Sequence, residues 1–132
     1  MLCFLIDDDH DDQEIFGMAL REVDSSYACI MASDGMEALE EIKNNKNCKI
    51  DLIVLDINMP KMNGKECVIE LKKEVHLKDV PTFLYSTHDT GKEIADAHQL
   101  GITGFFAKPA SIPKLSALLK DIIDKHVVVG KI

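Results

Sequence analysis

Five short apolar runs, separated by amphipathic segments, constrain the fold of this 132-residue chain more than any other feature. The runs are continuous rather than alternating, as expected for strands that are buried on both faces of a parallel sheet. They are Leu2–Ile6, Tyr27–Ala32, Leu52–Leu55, Thr82–Tyr85 and Phe105–Ala107. The pattern predicts an α/β fold, (βα)5, in which five helices cover both faces of an open, doubly wound parallel sheet.

Capping patterns mark where several of the helices begin. Three segments, Asp34–Glu37, Asn63–Glu66 and Thr90–Glu93, place a capping oxygen three residues before a glutamate. Apolar stripes follow each of them at helical spacing. The stripes are Ala38, Leu39 and Ile42; Val68, Leu71 and Val75; and Ile94, Ala97 and Leu100, after which Gly101 is expected to form a left-handed C-cap.

The first and last helices have similar apolar faces. The first is predicted over about residues 12–23 and the last from about Ser111, with Pro113 tolerated in its first turn. Their apolar residues are Ile15, Ala19 and Val23 in the first helix, and Leu115, Leu118, Leu119, Ile122 and Ile123 in the last.

Composition excludes several classes of function. The formal net charge is −8, so no basic surface is expected to bind nucleic acid. No apolar stretch approaches the roughly 18–20 residues of a membrane span, and residues 1–6 have no basic leader. The four cysteines show no C-x-x-C spacing. We therefore expect a cytoplasmic protein that forms a single domain over residues 1–132, without an output domain.

Polar side chains follow four of the five predicted strands. In a doubly wound sheet, ligands bind outside the carboxyl ends of the strands, so these side chains are expected to meet at one edge. They are Asp7, Asp8 and Asp9 after the first strand, Asp56 after the third, Ser86 and Thr87 after the fourth, and Lys108 and Pro109 after the fifth.

This combination of groups suits phosphoryl transfer. Carboxylates that lie close together repel, so some must be protonated or must bind a cation, and Mg²⁺ prefers such oxygen ligands. A remaining carboxylate can act as a nucleophile on phosphorus and form an aspartyl phosphate. A lysine and a hydroxyl can then contact the phosphoryl oxygens.

Four stretches resemble the response-regulator receiver domain family of two-component signalling, and the chain is similar to its stand-alone, chemotaxis-type receivers. The stretches are Phe4–Asp9, Asp51–Gly64, Pro81–Ser86 and Gly104–Pro109, and the likeness extends from Leu2 to about Lys125. The resemblance implies a flavodoxin-like sheet with the strand order 2-1-3-4-5.

The resemblance also implies a role for each site residue. Asp56 would be the phosphoacceptor, and Mg²⁺ would be bound by Asp8, by Asp56, by the backbone carbonyl of Asn58 and, through water, by Asp7. Ser86 would be the switch hydroxyl, although Thr87 competes for that role. Lys108 would bind the phosphoryl group and precede a cis bond to Pro109. Phe105 occupies the position of the switch aromatic, and Asn58 and His88 would modulate hydrolysis.

The implied function is that of a phosphoacceptor signalling protein, not an enzyme acting on other substrates. Its partners would be a sensor histidine kinase or a histidine phosphotransfer protein, and a downstream protein bound at the face of the fourth helix, fifth strand and fifth helix. Two alternatives are a phosphatase of the haloacid dehalogenase type and an unphosphorylated interaction scaffold. The phosphatase would require an aspartate where this chain has Asn58.

The other acidic residues of the first helix have a simpler interpretation. Asp11, Asp12 and Glu14 are expected only to favour the positive end of the helix dipole, and Asp9 is expected to lie at the rim of the site.

Overall fold

The computed structural model describes residues 1–45, 48–57, 64–86 and 101–127. Five strands and four helices lie within these ranges. The strands are β1 (Leu2–Ile6), β2 (Ala28–Ala32), β3 (Leu52–Asp56), β4 (Thr82–Ser86) and β5 (Gly104–Ala107). The helices are α1 (His10–Val23), α2 (Gly35–Asn44), α3 (Gly64–Lys72) and α4 (Ile112–His126).

All five strands are parallel and form one sheet in the order β2-β1-β3-β4-β5. This order and the α/β fold class confirm the predictions. Every predicted strand is present, with bounds that differ by no more than one residue. The predicted fourth helix, including the Thr90 cap and its apolar stripe, lies outside the described residues, so α4 corresponds to the predicted fifth helix.

The continuous apolar strands bury side chains on both faces of the sheet, as their sequences predict. On one face, β1, β3 and β4 pack against α1 and α4. On the other face, the same strands pack against α2 and α3. The central strand β3 is buried at all five positions. Close packing on both faces of the sheet therefore fixes where the residues after each strand lie.

Side-chain caps begin three of the helices. The carboxylate of Asp34 accepts a hydrogen bond from the backbone N–H of Glu37 at 2.8 Å, as the capping pattern predicts. Ser111 caps α4 in the same way, and Asp9 caps α1. The Asn63 cap lies outside the described residues. Gly101 has a φ of +84°, the left-handed conformation expected at that position.

Two predicted apolar faces were partly wrong. In α1, Ile15 is 37% exposed, whereas Phe16, Ala19 and Leu20 are buried. The helix presents this face because the bulky Phe16 side chain packs into the core beside α4.

Val75 was also wrongly placed on the apolar stripe of α3, since it is 80% exposed. The helix ends at Lys72, whose ammonium donates to the backbone carbonyls of Leu77 and Val80 in the turn that follows. That turn buries Leu77 instead.

The contrast between Leu71 and Val75 gives a test of this packing. Leu71 is 1% exposed against the sheet, so Leu71→Ala should lower the free energy of unfolding by about 2–5 kcal/mol. The matched surface variant Val75→Ala should change it by less than about 0.5 kcal/mol. Urea unfolding of both variants measures the difference, and similar values would contradict the described end of α3.

Candidate functional site

The carboxyl edge of the sheet brings together polar residues from four strands. Asp7 directly follows β1, Asp56 ends β3 and Ser86 ends β4, and all three are buried. Lys108 directly follows β5, and its backbone N–H donates to the carbonyl of Ser86 at 2.9 Å. The parallel arrangement of the strands is the reason that residues distant in sequence meet at this edge.

Lys108 is the centre of this cluster. Its Nζ lies 2.8 Å from an oxygen of Asp12, 3.1 Å from Asp7 and 3.3 Å from Asp56. The lysine side chain is only 12% exposed. One ammonium group therefore compensates three described carboxylates, one directly after β1, one in α1 and one at the end of β3.

The electrostatic environment keeps Lys108 charged. Burial opposes the charged form and lowers the pKa of its ammonium. The hydrogen bond that the ammonium donates to Asp12 and the negative charges of Asp7 and Asp56 outweigh that effect, so the pKa of Lys108 is raised above its ordinary value. Lys108 therefore offers a positive charge to any negatively charged group that binds beside Asp56.

Asp7 is held by protein donors on both of its carboxylate oxygens. Oδ2 accepts hydrogen bonds from the Tyr85 hydroxyl and from Lys108, and Oδ1 accepts one from the backbone N–H of Asp9 at 3.0 Å. The side-chain amide of Gln13 also donates to the Asp7 carbonyl at 2.7 Å. These bonds satisfy a fully buried carboxylate and fix its orientation.

Tyr85 connects the charged cluster to the apolar core. Its ring centroid lies 4.5 Å from the Lys108 ammonium, in the arrangement of a cation–π interaction. The same ring packs against Phe16 of α1 and Phe106 of β5, with centroid distances of 6.4 and 5.4 Å. Tyr85 therefore holds Asp7 through a hydrogen bond and contacts Lys108 through its ring.

Asp7, Asp8 and Asp56 form a group that could bind a metal ion. Each offers a carboxylate oxygen, and these oxygens lie within 4.8 Å of one another. Asp8 is exposed, whereas Asp7 and Asp56 are buried. Oxygen donors of this kind fit a hard divalent cation, so the residues present agree with the predicted magnesium site.

The family model for the response regulator receiver domain matches residues 3–120 of this sequence. The chain belongs to this family. Receiver domains are signalling modules of two-component systems, in which response regulators receive phosphate from histidine kinases.

Individual relatives show the same likeness. The chain is 28% identical over 116 residues to the probable transcriptional regulator ycf29 of Pyropia yezoensis. The aligned region covers 86% of this chain and 51% of the relative. It is 31% identical over 94 residues to chemotaxis protein CheY-3 of Vibrio cholerae serotype O1, covering 71% and 67%. The chain therefore spans about half to two thirds of the length of these relatives.

A solved structure gives the same result. The crystal structure of the phosphorylated cyanobacterial phytochrome response regulator RcpA has a TM-score of 0.81 at 28% identity, and the match covers 95% of this chain and 92% of that one.

No helix within the described part of the receiver domain is long and apolar enough to cross a membrane.

The structure places most of the predicted site residues together. Asp7, Asp8, Asp56, Ser86 and Lys108 share the carboxyl edge of the sheet, although their individual roles remain predictions. Asn58, Thr87 and His88 lie outside the described residues. Phe105 is partly buried on β5 and packs against the core cluster on the face of the sheet that α2 and α3 cover, and its role as a switch also stays a prediction.

The predicted cis bond before Pro109 was wrong, because the described backbone contains no cis peptide bond. The trans form is the one that such bonds favour, by about 0.5–1 kcal/mol. With this trans bond, Lys108 already reaches all three carboxylates.

Sequence reasoning missed two residues of the receiver site. Asp12 accepts a hydrogen bond from Lys108 in addition to its position at the positive end of the helix dipole. Tyr85 lies on an apolar strand, but its hydroxyl donates a hydrogen bond to Asp7. A phenolic hydroxyl on a fully buried strand was the available signal for Tyr85, because a buried hydroxyl needs a hydrogen-bond partner. Asp9 is the N-cap of α1, which agrees with its predicted position at the rim.

The environment of Tyr85 predicts a specific loss of stability at alkaline pH. Burial, followed by the negative charge of Asp7 and the hydrogen bond to it, raises the pKa of Tyr85 well above its ordinary value. Because the folded state favours the protonated phenol, this contribution to stability is complete below about pH 10, the unfolded value, and is lost as the pH rises above it.

Denaturant unfolding between about pH 8 and pH 11 measures this effect. Tyr85→Phe should lose less stability than the wild type over that interval, whereas Tyr27→Phe, the change at the other tyrosine of the chain, should follow the wild type. Parallel pH profiles for the wild type and Tyr85→Phe would contradict the assigned environment.

Proposed function

We propose that this receiver domain accepts a phosphoryl group on Asp56 from a phosphohistidine of a sensor kinase or phosphotransfer protein, in a magnesium-dependent reaction. One observation carries the proposal: a charged lysine lies 3.3 Å from the carboxylate of Asp56, beside the acidic group that could bind a metal. The cluster combines a nucleophile with compensation for the charge of a phosphoryl group.

Asp56 is suited to be the nucleophile by its position at the end of a fully buried strand. Its carboxylate oxygen would attack phosphorus, forming a P–O bond while the P–N bond of the donor phosphohistidine breaks. The leaving imidazole nitrogen retains the electron pair and takes up a proton. The product is an acyl phosphate on Asp56 and a neutral histidine on the donor.

The two other acidic residues would have different roles in binding Mg²⁺. Asp8 is exposed and would contact the cation directly together with Asp56. Both oxygens of Asp7 already accept hydrogen bonds from Tyr85, Lys108 and the Asp9 backbone, which favours a contact through water. A bound Mg²⁺ would neutralise charge on the phosphoryl oxygens. The carbonyl of Asn58 would complete the protein ligands.

Lys108 and Ser86 would bind the transferred group. The ammonium of Lys108 is within reach of the Asp56 carboxylate and would donate to a phosphoryl oxygen. Ser86 is buried at the end of the neighbouring strand and linked to Lys108 through its backbone carbonyl. Its hydroxyl would contact a second phosphoryl oxygen, so that phosphorylation alters the loop after β4. Positioning and charge stabilisation are most of what phosphoryl transfer needs.

The proposed output is a change in affinity for another protein. Phosphorylation would shift an existing equilibrium and alter the face formed by the predicted fourth helix, β5 and α4, with Phe105 as the switch aromatic. We propose that the chain acts as the receiver domain of a response regulator in the cytoplasm. Its net charge of −8 supports a protein partner rather than nucleic acid.

Incubation with acetyl phosphate and Mg²⁺, followed by intact-mass spectrometry, tests the proposed function. The wild type should gain one acid-labile phosphoryl group, and Asp56→Asn should gain none. The variant should remain folded, because the change is nearly isosteric and Lys108 keeps two carboxylate partners. Asp121→Asn, which changes the same residue type on the exposed side of α4, is the matched control.

The same assay separates the alternatives. A metal chelator should abolish phosphorylation of the wild type. Incorporation at another residue would refute the role of Asp56, incorporation without a divalent cation would refute the role of Mg²⁺, and no incorporation at all would favour the scaffold.

A further inference from the structure

Among the described residues, Asp12 makes the shortest contact with the Lys108 ammonium, although its sequence position gave no reason to connect it with phosphoryl chemistry. The Asp12 carboxylate lies 2.8 Å from the ammonium, compared with 3.3 Å for the proposed phosphoacceptor Asp56. The ammonium of Lys108 therefore lies closer to Asp12 of α1 than to Asp56, the residue whose phosphoryl group it is proposed to bind.

The first turn of α1 holds Asp12 at a fixed position. Its backbone N–H donates to the carboxylate of the N-cap residue Asp9 at 3.1 Å. The next residue, Gln13, is buried and ties this turn to β1 through its hydrogen bond to the carbonyl of Asp7. Asp12 is thus anchored relative to the acidic site, rather than on a loose surface segment.

The hydrogen-bonding capacity of Lys108 limits what it can contact at once. A lysine ammonium has three N–H donors, and three carboxylates lie within 3.3 Å of it. A phosphoryl oxygen on Asp56 would need one of these donors. The donor that now faces Asp56 can turn to this oxygen, but the phosphoryl group carries more negative charge than the carboxylate it replaces, so it draws the ammonium away from Asp7 or Asp12.

Asp12 is the partner that can be released at the lowest cost. Its side chain is 31% exposed, so water can replace the ammonium as a donor. Asp7 is fully buried, and loss of the ammonium would leave its charge poorly compensated. The contact between Asp12 and Lys108 is therefore the one expected to change.

We propose that Asp12 is a positioning residue that holds Lys108 in the unphosphorylated state and competes with the phosphoryl group for its ammonium. This inference rests on the proposed function of Asp56. Asp12 stabilises the resting state relative to the phosphorylated state through this competition, and its negative charge also repels the phosphoryl oxygens. Asp12 thereby limits the affinity of the site for a phosphoryl group.

Binding of beryllofluoride, a phosphoryl mimic, tests the inference without enzymatic turnover. Calorimetric titration in saturating Mg²⁺ should show that Asp12→Asn binds about two- to fivefold more tightly than the wild type, the range expected for removing a partly exposed charge. The amide of asparagine is close to isosteric with the carboxylate. Asp12→Ser is a second variant that removes the charge, and it should change the affinity in the same direction.

Asp11→Asn is the matched control. Asp11 is exposed and precedes Asp12 in the same first turn, so its replacement removes the same charge from the helix N-terminus. It takes no part in the ion pairs of Lys108 within the described chain. Its beryllofluoride affinity should match that of the wild type. A gain equal to that of Asp12→Asn would overturn the inference, because the effect would then come from net charge.

The resting state has a readout of its own. In ¹⁵N-labelled protein without beryllofluoride, the side-chain ammonium signal of Lys108 should exchange faster with water in Asp12→Asn than in the wild type or Asp11→Asn. Unchanged exchange, or unchanged or weaker beryllofluoride binding by Asp12→Asn, would overturn the role of Asp12. Failure of the proposed function looks different, because neither the wild type nor any variant would then bind beryllofluoride.

Discussion

The ammonium of Lys108 is the charge on which the arrangement of the site depends. Asp7, Asp12 and Asp56 converge on it from three elements of the fold, at distances of 2.8 to 3.3 Å. Carboxylates gathered around one point repel one another when no cation lies between them, and burial increases the cost. The same charge is available to a phosphoryl group. One interaction therefore stabilises the acidic cluster and prepares it for its proposed chemistry.

The fold makes this interaction possible by fixing both ends of it. A sheet buried on both faces determines where Asp56 and Lys108 lie, because each directly ends or follows a strand. Tyr85 connects the site to the apolar core, since its hydroxyl contacts Asp7 while its ring lies against the Lys108 ammonium and packs on Phe106. A change of charge at the site can therefore alter the packing of the apolar core through the contacts of Tyr85.

The fold and the residues at the strand ends could be predicted because both follow from local patterns. Continuous apolar runs indicate buried parallel strands, and the residues after those strands must share an edge. Asp12 and Tyr85 could not be assigned in this way. Their contacts join residues 96 and 78 positions apart and depend on the rotation of α1 and on side-chain reach. The exposure of Val75 followed from where α3 ends, which apolar spacing alone does not specify.

Thermal unfolding of Lys108→Met, with and without magnesium chloride, tests most directly whether the carboxylates require a cation. We expect the variant to unfold at a lower temperature than the wild type in the absence of Mg²⁺, and Mg²⁺ to raise its midpoint by more than that of the wild type. Lys120→Met, at an exposed ion pair on α4, should behave like the wild type. A midpoint for Lys108→Met equal to that of the wild type without Mg²⁺, or an equal Mg²⁺ effect on both proteins, would contradict the account.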